Sequence, residues 1–366
     1  MKIDGQHYKS IWVNHHDQEL IQMFDQRFFP HRIDIFDIKT SDDAAFAIKE
    51  MVVRGAPLIG VTAAYGIYLA CIEAKSHDRD YITQVAAKLT ATRPTAVNLV
   101  WAIAQMEQAL GVTHNLDEKI AIAYSKAEEL KQADVQICER IGHYGLGLIA
   151  EIAVQKKGEP VNILTHCNAG WLATIDWGTA TAPIYKAQAA GIEVHVWVDE
   201  TRPRNQGANL TAFELNHQGV PHTLINDNTG GHLMQHGMVD LVIVGTDRTT
   251  RNGDVANKIG TYLKALAAHD NGVPFYVALP SSTLDCTIED GVRDIPIETR
   301  SPDEVKYMQG LVDGEVKSVL ICPESTPALN YGFDVTPAKY VTGLITERGI
   351  CEASEPGIRS LFPEKF

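Results

Sequence analysis

From about residue 161 onward the chain alternates short apolar, strand-like runs with stretches whose apolar residues recur at helical spacing, and this rhythm limits what it can fold into. The strand-like runs are Val161 to Thr165, Glu193 to Val198, His222 to Ile225, Leu241 to Val244 and Phe275 to Leu279. Helical spacing appears between them, in Ala182, Ile184, Tyr185 and Ala189 and again in Ile259, Tyr262, Leu263 and Leu266. Such a series builds a mostly parallel sheet covered by helices on both faces. Ligands of these sheets sit beyond the carboxyl ends of the strands, so the segments just after the strands are where chemistry is expected.

The first half reads differently. Asp42 to Val53, Val61 to Glu73, Ala96 to Leu110 and Asp117 to Val154 are helical in period, interrupted by Pro57, Pro94 and Gly111. Residues 8 to 39 carry short β-branched and aromatic runs, Ile11-Trp12-Val13 and Ile33-Asp34-Ile35-Phe36, consistent with a small antiparallel sheet. At 366 residues the chain exceeds what one core usually covers. The expectation is an α/β protein. A mainly helical N-terminal domain over residues 1–130, with a small antiparallel sheet, precedes a Rossmann-like domain over residues 131–366, and the long helix near 117 to 154 joins them.

Charge and composition narrow the function. A net charge of −14 repels nucleic acid and anionic membranes, so neither is an expected partner, and an anionic substrate needs a local basic pocket. Met1-Lys-Ile-Asp-Gly5 begins polar, no run of signal-peptide length comes after it, and no eighteen apolar residues run uninterrupted; the cytoplasm is the expected location. Cys71, Cys138, Cys167, Cys286, Cys322 and Cys351 lie far apart without zinc spacing and read as free thiols. No G-x-G-x-x-G follows a strand, and neither G-x-x-x-x-G-K-[ST] nor H-E-x-x-H occurs, so nucleotide and zincin chemistry lose support. No cofactor and no metal are expected. The glycines of Gly142-His-Tyr-Gly-Leu-Gly147 fall in a helical pattern and read as helix packing. Asn209-Leu-Thr211, a glycosylation-type triplet, falls in an apparent helix and reads as chance.

Four segments carry chemistry. In Asn162-Ile-Leu-Thr-His-Cys-Asn-Ala-Gly-Trp171 a buried strand runs into small and polar residues, which puts Cys167 at the strand's carboxyl end. A helix beginning just beyond it would favour the thiolate; the alternative is an inert, buried cysteine. Asp199-Glu-Thr-Arg-Pro-Arg-Asn-Gln-Gly207 offers Arg202, Arg204 and Gln206 at the entrance of a helix starting near Gly207, either as anion ligands or as a solvated loop. Asp247 ends the apolar run Leu241 to Val244, where desolvation can raise a carboxyl pKa as a general acid requires; capping, or pairing with Arg248, is the alternative. Asn257 and Lys258 read as the start of the next helix, with the lysine adding charge to a phosphate held by backbone amides. Finally, Val53-Arg-Gly-Ala-Pro-Leu-Ile-Gly60 and Arg93-Pro-Thr-Ala-Val-Asn98 each place an arginine at a helix boundary.

Arg-Gly-Ala-Pro-Leu-Ile-Gly, Thr-His-Cys-Asn-Ala-Gly, Asp-Glu-Thr-Arg-Pro, Asn-Gly-Asp-Val-Ala-Asn-Lys-Ile-Gly-Thr-Tyr and Pro-Ile-Glu-Thr-Arg300 together resemble the S-methyl-5-thioribose-1-phosphate isomerase family, over nearly the whole chain. That family is similar in fold to regulatory subunits of a translation-initiation exchange factor. The resemblance implies an aldose–ketose isomerase of methionine salvage, acting on a small sugar phosphate and forming a homodimer. It implies Cys167 and Asp247 as the catalytic pair, and Arg54, Gly55, Ala56, Arg93, Gln206, Asn257 and Lys258 as substrate contacts. Two places depart from the family's pattern: Thr246 stands where many members have alanine, and Arg204-Asn205 where many have apolar residues. The alternatives are an isomerase of 5-deoxyribose 1-phosphate or ribose 1,5-bisphosphate, or a regulatory protein of the same fold that binds a sugar phosphate or nucleotide without turnover.

Overall fold

A computed structural model describes residues 1–76, 80–93 and 96–366; Pro94 and Thr95 of the second arginine segment lie outside the described residues. The first region holds a three-stranded antiparallel sheet of Ile11–Val13, Ile21–Phe24 and Ile35–Ile38, against which helices Ser41–Lys49, Ala56–Glu73, Tyr81–Thr92 and Val97–Leu110 assemble. Thr40 and Asp43 start the first helix by a capping box, the hydroxyl accepting from the Asp43 amide and the carboxylate from the Thr40 amide. Ala56–Glu73 is apolar all round and 89% buried, so the three other helices close over a helix that has no polar face to show to water. The sequence pattern does not announce Tyr81–Thr92: only Val85, Ala86 and Leu89 of its residues are buried, a stripe too narrow to stand out.

The helix Leu116–Lys156 runs for 41 residues, about 60 Å. Asn115 caps it by accepting from the amides of Asp117 and Glu118. Ala123, Ala127 and Leu130 join the core of the first region, whereas Ile141 and Ile149 join the core beneath the large sheet. The helix is thus unbroken through residue 131, where the sequence suggested a boundary. At Gly142 and Gly145 an added Cβ would stand 2.9 Å from Ala182 and 2.4 Å from Pro183, so these two glycines make the close helix–helix contact their pattern suggested, whereas Gly147 has open space beside it.

The large sheet has six parallel strands, in chain order Val161–Thr165, Val194–Asp199, His222–Ile225, Leu241–Val244, Phe275–Ala278 and Gly343–Thr346, with Gly349–Cys351 antiparallel at one edge. In space the parallel strands run third, second, first, fourth, fifth, sixth. That is the doubly wound Rossmann order, and its direction reverses between the first strand and the fourth. The crevice at this reversal therefore lies between the ends of Val161–Thr165, which continues to Cys167, and Leu241–Val244, which continues to Asp247.

Two additions interrupt the rhythm beyond residue 247. Arg248–Thr250, Val255–Lys258, Phe333–Thr336 and Leu284–Asp285 form a second, four-stranded sheet. Tyr307–Val312 and Glu315–Leu320 form a hairpin turned by Asp313 and Gly314, both at positive φ. The Asp-Gly pair suits such a tight turn. Asn257 and Lys258 consequently end a strand rather than begin a helix, contrary to the sequence expectation; the helix starts at Thr261.

Candidate active site

Cys167 lies just beyond its strand and occupies the left-handed region, φ +67°. A non-glycine residue there costs about 1–3 kcal/mol and persists only where its surroundings hold it. They do so here on both sides: the Cys167 amide donates to Thr201 Oγ1 at 2.8 Å, and its carbonyl accepts from Thr211 Oγ1 at 2.7 Å. The kink turns Sγ to Gln206, whose Oε1 accepts from the thiol at 3.1 Å. In place of the helix expected just after Cys167, the chain makes a single short turn at Trp171–Ala173, so no long helix dipole from this segment acts on the thiol. Burial pushes the Cys167 thiol up, and the nearby Arg54 and Lys258 cations oppose that shift.

Asp247 leaves the neighbouring strand into the same pocket, which also takes in Arg54, Gly55, Ala56, Arg93, Gln206, Asn257 and Lys258. All nine residues that the resemblance implied as catalytic or substrate-contacting thus line one chamber. Burial pushes the Asp247 carboxyl up, Lys258, Arg93 and Arg54 pull it down, and Glu298 adds to the rise; the net direction is upward. Thr246, a departure from the family pattern, turns its hydroxyl to the carbonyls of Arg248 and Ala256 at 2.8 and 2.9 Å and so spends it on the backbone. Arg248 reaches Asp285 at 3.4 Å.

Three cations surround the carboxyl and the thiol. Lys258 lies over the Phe333 ring, 4.7 Å from its centroid, and burial lowers its pKa. Arg93 ends its helix buried, with Nε lacking a hydrogen-bond partner among the described residues. Arg54 is fixed by Asn168, donating to Oδ1 at 2.5 Å and to the main-chain carbonyl at 2.8 Å. Asn168 in turn donates to Glu214, a fully buried carboxylate that also accepts from the Trp171 and Leu172 amides and from Tyr185. Next to Arg54, Gly55 sits at φ +93°, and a Cβ there would stand 2.4 Å from the Ala173 carbonyl oxygen. Only glycine lets the start of helix Ala56–Glu73 press this close to the Cys167 loop, and no side chain among the described residues caps that start.

Asn257 donates to Thr261 Oγ1 at 3.0 Å, and the first amides of the Thr261 helix, at Gly260 and Tyr262, are taken by Asp334. This helix start is therefore filled by a side chain, and the phosphate cradle expected there is not open. Arg202 donates to the Val305 carbonyl at 2.8 Å, and Arg204 pairs with Glu304 at 3.0 Å; neither lines the inner chamber. Arg204 and Asn205 instead line a larger polar chamber of about 500 Å³ that opens from the inner one past Met51, Arg54 and Gln206.

Sequence reasoning missed Glu298, Asn168 and His166. His166 is buried beside Cys167, with Nδ1 at 2.8 Å from Asp199 Oδ2 and Nε2 at 2.9 Å from the Ile259 carbonyl. It ties the Cys167 strand to the segment carrying Lys258. Asp199 and Asp227 complete a set of potential metal ligands with His166. Lys264 Nζ stands 3.3 Å from Asp199 and donates to the Asp227 carbonyl, so a protein cation already balances this cluster.

What can the arrangement do? A thiol and a carboxyl whose pKa burial raises face one space beneath three cations, next to a helix start that no side chain caps among the described residues. That suits an anionic substrate on which protons move. The chain matches the Initiation factor 2 subunit family over residues 52–353. It is 59% identical over 368 residues, all of both chains, to a protein of Desulfatibacillum aliphaticivorans named Methylthioribose-1-phosphate isomerase. Among solved structures it resembles 5-methylthioribose 1-phosphate isomerase from Pyrococcus horikoshii OT3, at 37% identity and a TM-score of 0.83, covering 98% of this chain and 97% of that one. It also resembles translation initiation factor eIF-2B, subunit delta, from A. fulgidus, at 36% identity and a TM-score of 0.78, covering 98% of this chain and 100% of that one. By sequence over its whole length and by fold, the chain belongs to the initiation factor 2 subunit family and, within it, to the group of the methylthioribose-1-phosphate isomerases.

Proposed function

We propose that this protein isomerises S-methyl-5-thio-α-D-ribose 1-phosphate to S-methyl-5-thio-D-ribulose 1-phosphate in methionine salvage, with Asp247 and Cys167 as the reacting pair. The phosphoester on C1 blocks ordinary ring opening to a free aldehyde, so the ring C1–O bond has to break with a proton delivered to the ring oxygen. A carboxyl whose pKa is raised by burial suits that delivery. The hydrogen on C2 then moves to C1 while the O2 proton leaves, which gives the ketose without net oxidation. Cys167 assists this transfer. Arg54, Arg93 and Lys258, with the uncapped helix start at Gly55–Ala56, hold the phosphate.

One observation carries the reading: thiol, carboxyl and three cations share a single pocket at the point where the sheet reverses its strand order. A regulatory subunit that only binds its ligand has no use for the thiol–carboxyl pair. The test is turnover of the methylthio substrate by wild type, Cys167→Ser and Asp247→Asn. Both variants should fold with unchanged thermal stability profiles and lose at least about a thousandfold in kcat, in keeping with loss of a reacting group. A fully active Cys167→Ser would remove the thiol from the mechanism. Deuterium at C2 separates routes, since full retention at C1 in ordinary water counts against a solvent-exchanging enediol.

The same reading puts the enzyme in the cytoplasm as a homodimer. Leu311, Val312 and Val319 of the hairpin and Ile321 just beyond it, all exposed, support association of two copies. Light scattering coupled to size exclusion tests it, a mass near 40.2 kDa ruling the dimer out.

A further inference from the structure

His166 immediately precedes Cys167, and its ring, like the Asp199 carboxylate it meets, has no exposed surface. Both ring nitrogens are engaged: Nδ1 lies 2.8 Å from Asp199 Oδ2, and Nε2 lies 2.9 Å from the Ile259 carbonyl oxygen. A carbonyl only accepts. Asp199 Oδ2 also faces the Lys264 ammonium at 3.3 Å, so this oxygen accepts too. Each ring nitrogen must then donate, which a neutral imidazole with its single N–H cannot do, and the hydrogen-bond network assigns His166 as an imidazolium. Asp227 completes the surroundings, with Oδ1 3.9 Å from Nδ1 and its two oxygens accepting from the Thr201 and Arg202 amides. Two buried cations, His166 and Lys264, thus face two carboxylates, Asp199 and Asp227.

The two ends of the ring lead to different parts of the pocket. On the Nδ1 side, Thr201 Oγ1 donates to the Asp199 carbonyl at 3.0 Å and accepts from the Cys167 amide at 2.8 Å, so the carboxylate bound by His166 belongs to the residue that steadies the thiol loop. On the Nε2 side, Ile259 is the chain neighbour of Lys258. Gly260, at φ +102°, then passes so close to the ring that an added Cβ would stand 3.1 Å from both Cε1 and Nε2. Glycine allows that approach. We propose that His166 is a positioning residue with two separable duties: through Nδ1 it fixes the Cys167 thiol, and through Nε2 it fixes the Lys258 ammonium. It thereby sets where the reacting group stands relative to a cation that holds the phosphate. These duties rest on the roles proposed above for Cys167 and Lys258.

The side-chain nitrogen of asparagine falls near Nδ1 of a histidine, and that of glutamine near Nε2. His166→Asn therefore keeps a donor for Asp199 and gives up Ile259, whereas His166→Gln keeps Ile259 and gives up Asp199. Steady-state kinetics with the methylthio substrate should separate them. His166→Asn should raise KM about tenfold with kcat within about threefold, because the phosphate's cation is loosened. His166→Gln should lower kcat about a hundredfold with KM within about threefold, because the thiol is misplaced. A histidine that only stabilises the fold would change both constants alike in the two variants; that result, or wild-type kinetics in both, overturns the proposal. Neutron diffraction from perdeuterated wild type at pH 7 needs no variant: deuterium on both ring nitrogens is expected, and deuterium on one alone contradicts the two-ended clamp. If wild type fails to turn over the methylthio substrate while both nitrogens carry deuterium, the isomerase reading has fallen and takes the two duties with it. If wild type is active and one nitrogen is bare, the isomerase reading stands and the clamp is wrong.

Discussion

Arg93 and Glu298 face each other at 3.8 Å without closing a hydrogen bond: Arg93 Nε and Glu298 Oε2 are both buried and unpartnered among the described residues. The other Glu298 oxygen is held by Arg300 at 2.7 Å. Arg93 is thus kept charged inside the protein by a carboxylate that leaves its donors available. A buried guanidinium left half-satisfied in this way has donors to offer an anion, which is the role proposed for it above.

Glu298→Gln is accordingly expected to raise KM about tenfold, because the Arg93 charge loses its support. It should also move a pH limit. The Glu298 charge raises the Asp247 pKa, so removing it lowers that pKa, and the fall in kcat/KM at high pH, where the acid loses its proton, should begin at lower pH. A pH profile of kcat/KM for both proteins checks this; an unmoved limb, or one displaced upward, contradicts it.

The Cys167 thiol should react slowly with iodoacetamide at pH 7 and faster as the pH rises above the usual thiol range, since burial pushes it up and it donates to Gln206. Lys258→Met removes a cation that opposes the shift, so alkylation of Cys167 should need a still higher pH. Peptide mass spectrometry reads the rate at each pH. Faster labelling of Cys167 in Lys258→Met than in wild type is the contrary outcome.

Five of the six parallel strands were legible as short runs, most of them apolar, and Gly343–Thr346 was the one missed: Leu241–Val244 is buried at every position, and its bounds are those its composition suggested. Cys167 and Asp247 stood out for the same reason, being polar residues immediately after such runs. The strand Val255–Lys258 was read as a helix start. It pairs on one side with Arg248–Thr250 across Asn252-Gly253, a local hairpin signal that the sequence reading passed over, and on the other with Phe333–Thr336, far away in the chain. Glu298 was hidden likewise, since its meaning lies in Arg93, far away in the chain. The left-handed turn at Cys167 depends on Thr201 and Thr211, which no window around residue 167 contains.

Asn168 offers a test of whether Arg54 holds the phosphate. Without its side chain Glu214 keeps three donors, from Trp171, Leu172 and Tyr185, so Asn168→Ala should still fold. Arg54 loses the tether to Oδ1 and keeps only the one to the main-chain carbonyl. A less ordered guanidinium binds a phosphate less well without changing the reacting groups, so KM should rise about tenfold with kcat within about twofold. Equal falls in kcat and kcat/KM would instead put Asn168 in the chemical step.

Asp134, buried in the long helix, gives a pH dependence of stability separate from the site. Burial raises its carboxyl from 3.8 to about 7, against hydrogen bonds from the Ile175 amide and Cys138 that hold it down. A carboxyl with a folded-state pKa above its unfolded one binds more protons when folded, so its contribution is fully present below about pH 4 and is lost as pH rises toward 7. Asp134→Asn keeps an oxygen for the Ile175 amide and cannot ionise. Between pH 5 and pH 8 the wild type should therefore lose about 2–3 kcal/mol relative to the variant, at about 1.4 kcal/mol per pH unit up to the folded pKa. Urea unfolding of both proteins at the two pH values measures this difference, and a constant gap, or one that narrows in favour of the wild type at pH 8, contradicts a carboxyl buried uncharged.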